Sequence, residues 1–80
     1  MEKSKAIELV LNELDSALEN FPLFNSSHEG YAVLKEEVDE LWDEIKNDKN
    51  PMSNVKQKNE AIQVAAMGIK FLMSCCKEHL

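Results

Sequence analysis

The sequence predicts an all-α fold: a three-helix, up-down-up chain that completes a multi-helix bundle by homo-oligomerisation. Three observations predict it. Apolar residues recur at helical spacing in three separate segments, Pro22 and Pro51 punctuate the chain between them, and the third segment is apolar on almost every side. No run alternates with the period of a strand, and no Gly-rich phosphate loop, internal repeat or low-complexity segment appears.

The first helix is expected from about Ser4 to Asn20. Ile7, Leu11, Leu14, Leu18 and Phe21 form one stripe, widened by Val10 and Ala17, and Pro22 stops the helix. The connection PLFNSS brings Leu23 and Phe24, which would tuck under the bundle. The second helix is expected from His28 to about Asn47 or Asp48. Ser26 stands three residues before Glu29, the spacing of a capping box. Tyr31, Leu34, Val38, Leu41 and Ile45 form its apolar stripe. Glu29, Glu36, Glu40 and Glu44 form an acidic stripe on the far side, with Glu37 at its margin.

NDKNPMSN reads as a turn, and the third helix is expected from Ser53 or Asn54 to about Glu78. From Ala61 to Met73 only Gln63 and Lys70 are polar. Two neighbours from one short chain cannot cover such a helix, so it is expected at a subunit interface, where Ala65, Ala66 and Gly68 would allow close approach.

Eighty residues make one domain, 1–80, with a small core. Adjacent Cys75 and Cys76 close no useful loop, which fits a reducing, cytoplasmic location. The N-terminal MEKSKAIELV is too charged for a signal peptide, and no run is long enough to span a membrane. The net charge of −6, with every basic residue a lysine, argues against binding a nucleic-acid polymer. It is compatible with divalent cations, for which carboxylates are hard oxygen ligands.

Residues three and four apart are neighbours on a helix, so Glu37 with Glu40, and Glu36 with Glu40, can each share a cation. Without a counter-ion such a cluster must be well solvated, and a solvated acidic face is the plain alternative. Val33 inside the acidic stripe points to a face that is partly covered. On the third helix Glu60 shares its face with Gln63, Met67 and Lys70. Packed beside the second helix, Glu60 and Gln63 would face Glu37 and Glu40. Three carboxylates and an amide oxygen would then surround one Mg²⁺, with Mn²⁺ as a substitute and waters completing six ligands.

Glu36-Glu37-x-x-Glu40, a spacer of 19 residues, then Glu60-x-x-Gln63 resembles the signature of the MazG-like all-α nucleoside triphosphate pyrophosphohydrolases. HEGYAVLKEEVDELWDEI followed by EAIQVAAMGIKFL is most similar to a small phage- and prophage-associated branch of that superfamily. The resemblance covers roughly residues 28 to 73 and implies a helical bundle completed as a homodimer or homotetramer. It also implies Mg²⁺-dependent splitting of a nucleoside triphosphate into monophosphate and pyrophosphate. By motif position, Glu37, Glu40 and Glu60 would be metal ligands, with Gln63 in the fourth place. Glu36 would be the catalytic group, as base toward the attacking water or as a further ligand. Two positions depart from the pattern: Gln63 stands where the family has Asp, removing one charge, and Met67 stands where an Asn is common.

Lys70 and His28 are the expected substrate contacts; the plain reading of His28 is a first-turn surface residue. Lys56 and Lys58 read as solvated, Trp42 and Tyr31 as core or interface residues, Cys75 and Cys76 as packing residues of a last turn. Met52, Met67 and Met73 read as gap-fillers. Two other function classes fit the same residues. One is a non-catalytic relative that binds metal or nucleotide, marked by Gln63. The other is a helical interaction module with a solvated acidic face.

Overall fold

A computed structural model describes residues 1–47 and 49–79. Asp48, one of the two expected ends of the second helix, lies outside the described residues. The described residues form three helices and no strand: α1 (Lys3–Asn20), α2 (Ser27–Lys46) and α3 (Ser53–Cys75). None of these helices is long and apolar enough to cross a membrane.

Local chemistry sets most of the ends. Ser26 Oγ accepts the Glu29 N–H at 3.1 Å, which satisfies one of the free donors at the start of α2. The reciprocal half of the expected capping box is replaced, because the Glu29 carboxylate accepts from Asn25 Nδ2 at 3.1 Å. Ser53 opens α3 as its first residue, not as its cap. Its buried hydroxyl donates to the Glu44 carbonyl at 2.8 Å and accepts from Gln57 Nε2 at 3.0 Å, tying the end of α2 to the start of α3. The third helix ends at Cys75, short of the expected Glu78, and Cys76 is already exposed and extended.

α3 is the hub. It packs against both α1 and α2, while α1 and α2 do not pack on each other. Leu14 and Ala17 from α1, Phe24 from the connector, and Ala66 and Met67 from α3 form the buried core. Phe24 is held there by its own N–H, which donates to Ser74 Oγ at 3.1 Å; that hydroxyl in turn donates to the Lys70 carbonyl at 2.7 Å. Gly30 lets the start of α2 approach, since a Cβ there would lie 2.7 Å from Phe71 Cδ2 and 3.0 Å from Phe24 Cδ2. At Gly68 a Cβ would meet nothing within 4 Å, so that small residue is not needed for packing within the chain.

Much apolar surface stays uncovered in the single chain. Of the stripe on α2, Leu34 and Leu41 are half-buried, but Tyr31, Val38 and Ile45 are exposed, as is neighbouring Trp42. Ile7, Leu11, Phe21, Leu23, Leu72, Met52 and Met73 are exposed too, so the last two are not the core gap-fillers their composition suggested. The radius of gyration, 13.7 Å, exceeds the about 12 Å usual for this length. The accessible surface, 6046 Å², exceeds the about 4,900 Å² usual for a compact monomer of this mass.

Candidate metal site and adjoining cavity

The helical register of α2 turns Glu37 and Glu40 toward α3, where Glu60 meets them. One carboxylate oxygen from each of the three lies within 4.8 Å of the others. Glu37 and Glu60 are half-buried. Burial, then the neighbouring Glu40, Glu60 and Glu36, pushes the Glu37 carboxyl from its ordinary 4.5 up to about 7. Glu60 is also raised, first by burial and then by Glu40 and Glu44. Among the described residues no cationic side chain pairs with these carboxylates. The ion pairs among the described residues, Lys5–Glu8, Lys35–Asp39 and Lys46–Asp43, are local surface pairs that involve none of these glutamates.

Glu44 joins the site beyond the residues expected from the sequence, one turn after Glu40 on the acidic stripe. It is half-buried beside Glu60, and Glu44 Oε2 and Glu60 Oε2 are both buried without a hydrogen-bond partner. Unpartnered buried carboxylate oxygens are costly unless a proton or a cation sits against them. The donor set is all oxygen, which suits a hard divalent ion such as Mg²⁺ or Mn²⁺.

Because α1 and α2 stand apart, a cavity of about 570 Å³ opens between them over α3. That volume is within the range of small-molecule sites. Glu13, Ala17 and Asn20 line its α1 side, Val33, Glu36 and Glu37 its α2 side, and Gln63, Met67 and Lys70 its floor. Glu37 belongs to both the cavity and the carboxylate cluster. Gln63 reaches the cavity as a neutral amide beside Glu37. Lys70 is only 4 % exposed, and its ammonium lies over the Phe24 ring, 4.6 Å from the centroid, and 5.9 Å from that of Phe21.

His28 is placed elsewhere. It lines a shallow depression with Ser27, Tyr31 and Phe71, because Glu29, Val33, Glu36 and Glu37 share the helical face turned to the cavity and His28 falls on the next one. Lys70 and His28, both expected substrate contacts, thus line different depressions, and Glu29 takes the cavity-facing place at the start of α2. Among known proteins, no family model, no curated sequence and no solved structure matches this chain.

Proposed function

We propose that this protein is a Mg²⁺-dependent nucleotide pyrophosphohydrolase that splits a nucleoside triphosphate into monophosphate and pyrophosphate. The observation that carries the reading is the convergence of Glu37, Glu40 and Glu60 within 4.8 Å at the edge of a nucleotide-sized cavity. The likeness of their spacing to the MazG-like signature agrees with it. Glu37, Glu40 and Glu60, with Glu44 behind them, would hold the ion; Gln63 is a neutral neighbour. A bound divalent ion would offset phosphate charge and acidify water. Glu36, exposed on the cavity wall, would take the proton of the attacking water. Water adds to phosphorus, the phosphoanhydride between the α and β phosphates breaks, and pyrophosphate leaves with the bridging oxygen.

The working unit in this reading is a homo-oligomer. The surface excess over a compact monomer, about 1,100 Å², is comparable with the roughly 800 Å² that each partner buries in a stable interface. The exposed Tyr31, Val38, Trp42 and Ile45 on α2 supply an apolar patch for it.

The test is pyrophosphate release from a panel of ribo- and deoxyribonucleoside triphosphates with Mg²⁺ or Mn²⁺, beside Glu40→Gln. Metal-dependent turnover that disappears in the variant supports the reading. A second reading, a non-catalytic metal or nucleotide binder, is favoured by Gln63 and Met67 at the two positions where the pattern carries Asp and Asn. Metal-dependent stabilisation without turnover on any nucleotide would select it.

A further inference from the structure

Lys70 has a buried side chain whose ammonium opens onto the cavity. It is 4 % exposed, and its ammonium makes no ion pair or hydrogen bond among the described residues. The phenyl faces of Phe24 and Phe21 stabilise its charge and leave its three N–H donors available to an acceptor in the cavity. It lines the same cavity as Glu37. Donors held this way at a cavity wall fit an acceptor that arrives with the ligand.

The acceptor's chemistry follows from the surroundings. The other charged groups lining the cavity are Glu13, Glu29, Glu36 and Glu37, all carboxylates. A phosphate beside Lys70 would meet that net negative field away from the metal cluster. A neutral carbonyl oxygen accepts from the ammonium without that repulsion. Register along α3 agrees. Ten residues separate Glu60 from Lys70, an axial rise of about 15 Å. With the phosphates at the carboxylates, that span reaches the nucleoside end of the ligand. The Phe21 ring, 64 % exposed beside the cavity, offers a flat apolar wall there.

We propose that Lys70 is the base-reading residue of this cavity, donating to a base carbonyl, and that the site selects oxo bases over adenine. Uracil, thymine, cytosine, guanine and hypoxanthine all carry such an oxygen. Adenine instead turns an amino donor toward a ligand at the corresponding position, leaving only ring nitrogens as acceptors. The orientation rests on the proposed function, because it takes the phosphates to lie at the carboxylate cluster.

The test uses neutral nucleosides without metal, so that neither phosphate nor cation takes part. Inosine and adenosine differ by carbonyl against amino at one position. Each is titrated into the full chain and followed by NMR shifts, with Lys70→Met and Lys70→Arg alongside. The expected result is saturable shifts at Phe21 and Lys70, with inosine bound roughly tenfold tighter than adenosine, as one charge-assisted hydrogen bond implies. The preference should vanish in Lys70→Met and survive in Lys70→Arg. Equal affinities, absence of saturable shifts, or a preference kept in Lys70→Met would overturn the proposal. The wild-type ratio decides even if the variants do not fold. Turnover that is metal-dependent but equal for inosine and adenosine triphosphates sinks this inference alone; selective nucleoside binding with no turnover sinks the hydrolase reading alone.

Discussion

Glu37 on α2 and Glu60 on α3 bring carboxylate oxygens within 4.8 Å of each other across the helix seam, with no cationic side chain paired to either among the described residues. Two helices that pack favourably elsewhere thus meet at a point of repulsion. Protons relieve it at low pH, and a divalent cation would relieve it at neutral pH.

That repulsion gives a pH dependence with a definite sign. Folding raises Glu37 from 4.5 to about 7, so between those values the native state holds more protons than the unfolded chain. Stability of the metal-free protein should therefore fall as pH rises through this window. Glu60, also raised, acts in the same direction. Melting temperature measured from pH 4.5 to 8 should decline, and saturating Mn²⁺ or Mg²⁺ should flatten the decline. A metal-free melting temperature that climbs across the window would contradict the assigned shifts.

Neutralising one acid should separate stability from binding. Glu60→Gln removes a buried charge from a like-charged cluster, so the metal-free variant should melt higher than the wild type. Its metal-induced stabilisation should shrink, and metal-dependent turnover should fall by roughly 100-fold or more, the scale seen when an electrostatic group is lost from a reaction centre. Thermal melts with and without Mn²⁺, beside pyrophosphate release, check all three.

Two packing devices should cost stability when altered. Gly30→Ala forces Phe71 or Phe24 to move and should destabilise by about 1–3 kcal/mol. Ser53→Ala leaves the Glu44 carbonyl and the Gln57 amide without their shared hydroxyl, and should cost about 1 kcal/mol. Urea denaturation measures both. A neutral Gly30→Ala would mean that the phenyl rings have room to rotate away.

Association can be read from Trp42, the single tryptophan, which is exposed in the isolated chain. In a homo-oligomer that covers α2, its emission should shift to the red on dilution, and Trp42→Glu should weaken assembly. Sedimentation at micromolar concentration should give more than 9.1 kDa. A monomer there, with emission independent of concentration, would remove the oligomer from the proposal.

The helices were legible because each carries a long apolar period and a proline or a serine near its ends. The approach of Glu60 to Glu37 and Glu40 was legible too, since i and i+3 spacing fixes a face and α3 had to pack beside α2. What was hidden depends on tertiary approach. The orphaned Glu44 oxygen arises from the closeness of α3. The burial of Lys70 under Phe24 arises because Ser74 ties the connector to α3. The early end of α3 follows from the same kind of cause: beyond Cys75 the chain is exposed and no longer helical, so helical periodicity alone overran it. The side on which His28 falls was hidden as well, since a one-residue step on a helix rotates a side chain by about 100°.

The separation of α1 from α2 divides the labour of the site between elements. The acids that would hold an ion reside on the α2–α3 hairpin alone, whereas Glu13, Ser16 and Asn20 approach the cavity from α1. Substitutions on α1 can therefore reshape what the cavity accepts without disturbing the carboxylate geometry. In the proposed function, α1 would tune the fit of the ligand while α2 and α3 keep the carboxylates in place.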